Sequence, residues 1–84
     1  MKQTVNTTPA QQIDLTHTGR LGGVVYLQNL GTGDVYVDTH SDVTIGTGLK
    51  IAAGALVGPL KINIQSLYAV ASADGQDLRI LLAG

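Results

Sequence analysis

VVYLQNLGTGDVYV, residues 24–37, is the stretch from which the fold is read. Val, Tyr and Leu suit a pleated, half-buried surface. Between the two apolar runs, Leu30-Gly31-Thr32-Gly33-Asp34 supplies turn residues, and Gly31 and Gly33 can take the positive φ of tight turns. The stretch is therefore expected to form a β-hairpin. In its first strand Val24, Tyr26 and Leu30 share a face with Gln28, and Val25 and Leu27 share the other with Asn29. Two faces that both begin apolar suit a central strand, or one covered on its outer side by a neighbouring subunit. In the second strand Val35, Val37 and Thr39 oppose Asp34, Tyr36 and Asp38.

The same period of two continues downstream. Residues 38–48 are mostly turn formers around a short strand at Val43–Ile45. Leu49, Ile51 and Ala53 alternate until Gly54 breaks the pattern. Leu56 and Val57 form an apolar connection that Gly58-Pro59 ends, either tucked under the core or part of an interface. Leu60, Ile62 and Ile64 then alternate with Lys61, Asn63 and Gln65. Residues 66–73, SLYAVASA, compete between helix and strand, and the Asp74-Gly75 turn with its flanking strands favours strand. In the last strand, residues 77–83, Leu78, Ile80 and Leu82 make a core face opposite Arg79 and Leu81. Upstream, Ile13 and Leu15 alternate with Asp14 and Thr16. Residues 1–12 are polar and aperiodic, and are expected to be an extended arm ahead of a single domain over 13–84. About seven short strands with frequent turn signals make an all-β sandwich or barrel.

Composition narrows the function classes. A chain of 84 residues buries only a modest core, and here there is no Cys, Phe or Trp to reinforce it. Yet 44% of residues are hydrophobic and 13% charged, so a monomer would struggle to cover its surface with polar groups. Self-association, or docking on a larger body, resolves the conflict. The net charge of −1 and the scattered Lys2, Arg20, Lys50, Lys61 and Arg79 give no basis for nucleic-acid binding. No apolar run is long enough to span a bilayer, and the first residues lack the apolar core of a signal peptide. The expectation is a protein made in a cytoplasm, with neither nucleic-acid nor membrane partners.

No catalytic constellation stands out. Gly46-Thr47-Gly48-Leu49-Lys50 and Gly31-Thr32-Gly33 lack the following helix and terminal Lys-Ser/Thr of a phosphate loop. Ser41, Ser66 and Ser72 sit in no nucleophile motif, and His17 and His40 have no evident partner. Asp34, Asp38 and Asp42 recur every four residues around His40, a spacing that suits solvated loop acids better than a Ca²⁺ or Zn²⁺ site. Catalytic, cofactor and metal residues are all expected to be none, and the protein is not expected to be an enzyme.

Val35-Tyr36-Val37, Val43-Thr44, Gly48-Leu49, Ala53-Gly54, Leu60 with Ile62, Leu67-Tyr68-Ala69-Val70-Ala71-Ser72 and Leu78-Arg79-Ile80-Leu81 follow in an order that resembles the small β-rich structural proteins of tailed bacteriophages. The resemblance covers about residues 24–82. It departs after Ala53-Gly54, where an acid is common in the pattern and this chain has Ala55-Leu56-Val57, which marks that loop as a candidate contact surface. The resemblance implies a virion component of jelly-roll type, most directly a trimeric decoration protein that binds the major capsid protein on the outside of the head. The alternatives are a tail, fibre or head–tail joining component, or a small glycan-binding attachment module with Tyr26, Tyr36 and Tyr68 as stacking residues. Candidate interface residues are Val24, Val25, Tyr26, Leu27, Tyr36, Leu56, Val57 and Pro9.

Overall fold

The computed structural model describes residues 2–13, 23–62 and 66–83. Eight strands are present: β1 (Lys2–Val5), β2 (Gln11–Gln12), β3 (Gly23–Asn29), β4 (Val35–Asp38), β5 (Leu49–Ile51), β6 (Leu56–Ile62), β7 (Tyr68–Ala71) and β8 (Gln76–Ala83). They form two four-stranded antiparallel sheets, ordered β1-β8-β3-β6 and β2-β7-β4-β5, and no helix occurs among the described residues. The pairs are nested: β1 with β8, β2 with β7, β3 with β6 and β4 with β5. Pairing of β3 with β8 and of β4 with β7 completes the two sheets.

Alternation along β3, β4 and β8 divides core from surface, whereas on β5 Leu49 is exposed although in phase with buried Ile51, and on β7 Val70 is buried although out of phase with Ala69 and Ala71. Val25, Leu27 and Asn29 are buried while Val24, Tyr26 and Gln28 face outward and are half-buried. Val35 and Val37 are buried opposite half-buried Tyr36, and Leu78 and Ile80 opposite exposed Arg79 and Leu81. The core between the sheets is wholly aliphatic: Val5, Ile13, Val25, Leu27, Val35, Val37, Ile51, Leu67, Ala69, Ala71, Leu78 and Ile80 form one cluster. Small Ala69 and Ala71 on β7 let the sheets approach without aromatic side chains filling the gap.

The expected hairpin over 24–37 is corrected. Both strands exist, but β3 lies in one sheet and β4 in the other, so residues 30–34 cross from sheet to sheet. The crossing is held by Asn29, whose Nδ2 donates to Gly33 O (2.8 Å) in the connection and to Ile51 O (2.9 Å) on β5 of the other sheet, and whose Oδ1 accepts from Gly31 N (2.9 Å). Val25 and Leu27 can then face Val35 and Val37 across the core.

Three further expectations change. The N-terminal segment is extended, but it is no free arm: β1 pairs with β8, β2 pairs with β7, and Val5 is fully buried. Its polar residues satisfy the outer faces of strands whose inward positions are few. Leu56 and Val57 begin a strand that runs through Gly58-Pro59 instead of ending there. Pro59 is tolerated because β6 is an edge strand, and the register against β3 shifts between Val25 and Leu27. Val43–Ile45 forms turn, not strand; Val43 is buried and Ile45 exposed. The alternation over Ile13–Thr18 beyond Ile13 itself, and residues 63–65, lie outside the described residues.

Loops β1–β2, β3–β4, β5–β6 and β7–β8 are joined to one another by hydrogen bonds. Gly75 N donates to Asn6 Oδ1 (2.9 Å), Asp34 N to Ser72 Oγ (2.9 Å), Ser72 N to Asp34 O (2.9 Å) and Gly54 N to Asn29 O (2.7 Å). Gln76 adds another tie by accepting from Gly33 N (2.8 Å). No described buried polar side-chain atom lacks a partner.

Candidate functional site

The outward face of the first sheet carries two exposed leucines beside a half-buried tyrosine. Tyr26 on β3 stands opposite Leu81 on β8, and Gln28 lies between Leu56 on β6 and Arg79 on β8. Leu56 is 63% exposed and Leu81 61%. Together with Tyr26, Gln28, Arg79 and Ile80 they line a shallow groove of about 350 Å³. Leucines at these positions follow from strand periodicity, since each is out of phase with the core residues beside it. Their exposure reflects tertiary structure: nothing in the described chain packs over this face.

Gly58 shapes the groove from below. Its φ of +144° disfavours a side chain, and a Cβ there would come within 2.8 Å of Tyr26 Cδ2 and 3.0 Å of Val25 O. The absence of a side chain lets β6 pass close beside the Tyr26 ring.

Two charges on this face pair with each other, while Lys2, opposite Arg79 in the register, is exposed. Arg79 donates from Nε to Asp77 Oδ1 (2.9 Å) and from Nη2 to Asp77 Oδ2 (3.1 Å). The guanidinium holds the Asp77 carboxyl below the usual carboxylate range, and Asp77 in turn raises Arg79. A forked pair of this kind presents little net charge to whatever meets the groove.

The eight candidate interface residues do not form one patch. Tyr26 and Leu56 come together in the groove. Val24 is half-buried on the same outward face, whereas Val25 and Leu27 are fully buried against the second sheet. Val57 is partly buried and packs on the core. Tyr36 lies on the outer face of the second sheet, paired with Val70 and Lys50. Pro9 is exposed in the β1–β2 loop. Leu81 completes the groove and is absent from that set; its out-of-phase position beside Arg79 was the signal for it.

Among the described residues no three His, Cys, Asp or Glu side chains group as metal ligands would. Asp34 pairs with Lys50 (3.6 Å), while Asp38 accepts from Thr39 N (2.6 Å) and lies 3.7 Å from His40 Nδ1. His17 lies outside the described residues. The chain matches no protein-family model, no curated protein and no solved structure.

Proposed function

We propose that this protein is a non-enzymatic structural component of a phage virion, a decoration protein that docks on the outside of the head and stabilises it. The observation that carries the reading is the Tyr26–Leu81–Leu56 face, where both leucines are more than half exposed and the neighbouring Arg79 guanidinium is already paired with Asp77. The resemblance over residues 24–82 supports the same class. The fold reading is a jelly roll. Nested pairing of β1 with β8, β2 with β7, β3 with β6 and β4 with β5 supports it, because winding an antiparallel ribbon into two sheets produces that order.

The mechanism is burial of surface across the joints between capsid subunits. Specific interfaces bury about 1,200–2,000 Å² in total, and weak contacts repeated over a shell sum to a large stabilisation. Tyr26, Leu56 and Leu81 would form the apolar centre, with the Asp77–Arg79 pair and Lys2 at its rim. The protein acts as a homo-oligomer, a trimer by resemblance, and its partner is the major capsid protein.

The test compares phage heads made with the wild-type protein, without it, and with Leu56→Asp/Leu81→Asp. The wild type is expected at stoichiometric copy number and to raise the temperature of head disruption; the double variant is expected to stay off the particle while keeping the wild-type circular dichroism and melting temperature. Heads that never carry the wild-type protein, and are equally heat-stable without it, would refute the proposal. A copy number near a dozen would assign it instead to a unique vertex or tail.

A further inference from the structure

The outer face of the second sheet differs from that of the first, because loops partly cover it. Val70 points away from the core, opposite Tyr36, yet is only 4% exposed. The β4–β5 loop folds back over the sheet: Gly48 packs so closely that a Cβ would lie 2.8 Å from both Tyr36 Cβ and Val43 Cγ2. Between this loop and the β1–β2 loop runs an open cleft of about 460 Å³, within the size range of ligand sites.

Its chemistry is amphipathic. Val70 and Ala71 line it together with Pro9 and Ile45, and Ile45 is 59% exposed with no role in the core. The one charged lining residue is Asp42. Its carboxylate makes no hydrogen bond or ion pair among the described residues, unlike those of Asp34, Asp38, Asp74 and Asp77. The hydroxyls of Thr8 and Ser41, also in the lining, are likewise unengaged. An apolar wall leading to a single exposed carboxylate that has no partner among the described residues, with exposed hydroxyls in the same lining, complements a long side chain with an aliphatic stem and a cationic, multi-donor head.

We propose that this cleft binds an arginine side chain presented by an extended segment of a partner polypeptide, the stem lying along Ile45 and Pro9 and the guanidinium donating to Asp42. The site lies on the opposite sheet from the Tyr26–Leu81 face and does not depend on the decoration reading.

The test titrates ¹⁵N-labelled protein with a blocked Gly-Arg-Gly tripeptide and with its citrulline counterpart, which keeps the shape and hydrogen-bonding edge but loses the charge. The arginine peptide is expected to bind in the millimolar range and shift the amides of Thr8, Asp42, Thr44 and Ile45. Citrulline, or the Asp42→Asn variant, is expected to weaken binding roughly fivefold, the upper scale of a charge-assisted contact at an exposed site. Asp42 makes no bond that the fold requires, so the variant keeps its native spectrum elsewhere. Equal binding of the two peptides, undiminished binding to Asp42→Asn, or shifts confined to another face would overturn the proposal.

Discussion

Asn29 and Gln76 hold Gly33 between them: Asn29 Nδ2 donates to its carbonyl at 2.8 Å, and Gln76 Oε1 accepts from its N–H at 2.8 Å. They are the two buried polar side chains among the described residues. One sits at the end of β3 and the other at the start of β8, adjacent strands of one sheet, and Gly33 is on the way to the other sheet. The pair therefore decides where the chain crosses the sandwich.

Replacing Asn29 with Ala should cost roughly 2–4 kcal/mol in chemical denaturation, because it leaves the Gly33 and Ile51 carbonyls and the Gly31 N–H without their partner. Asn29→Asp keeps the shape but turns an acceptor toward two carbonyls. It should be more damaging than Asn29→Ala at neutral pH, and partly relieved where the carboxyl is protonated.

Large-to-small changes should separate core from surface. Leu27→Ala is expected to lose roughly 2–5 kcal/mol, as for other fully buried leucines. Leu56→Ala and Leu81→Ala, both more than half exposed, should stay within about 0.5 kcal/mol of wild type in the isolated subunit. A loss of subunit stability at Leu81 matching that at Leu27 would mean that the outer face is covered within the monomer.

Gly58 and Gly54 both have positive φ, +144° and +81°, but differ in their surroundings. A Cβ at Gly54 meets nothing within 4 Å, so Gly54→Ala should cost only the backbone term of roughly 1–2 kcal/mol. Gly58→Ala adds overlap with Tyr26 and Val25 and should cost clearly more, with displaced Tyr26 resonances in the NMR spectrum.

Asp74 ties the β7–β8 turn to the N-terminal strands. It accepts from Thr7 N and Thr7 Oγ1, both at 2.9 Å, and the backbone bond first, then the hydroxyl, hold its carboxyl below the usual value. A folded-state pKa below the unfolded one contributes stability that is present above the unfolded value and lost as pH falls through the folded value. Acid unfolding should therefore be shallower in Asp74→Asn than in wild type at pH values below about 4. Direct carboxyl titration by NMR should place Asp74 lower in wild type than in Thr7→Val.

Residue pattern alone showed most of the strands from residue 24 onward and, for β4 and β8, which side meets the core. Val35 and Val37, and Leu78 and Ile80, are buried as period-two alternation requires, whereas the first strand is apolar on both faces and the packing of the two sheets selected Val25 and Leu27 for the core. Partner choice was not legible locally. Residues 24–37 have the composition of a hairpin, but β3 pairs with β6 and β8 and β4 with β5 and β7, and the crossing between them is held where Asn29 and Gln76, 47 positions apart, meet at Gly33. The N-terminal strands were illegible for a related reason: β1 and β2 are polar and short, and their place depends on backbone pairing with β8 and β7, which any sequence can offer. The groove divides the same way. That Leu81 lies opposite the Leu78–Ile80 face was legible from its phase beside Arg79; that Tyr26 and Leu56 turn outward, and that the three stand side by side, was decided by the packing of the sheets and by the register of three strands from distant parts of the chain.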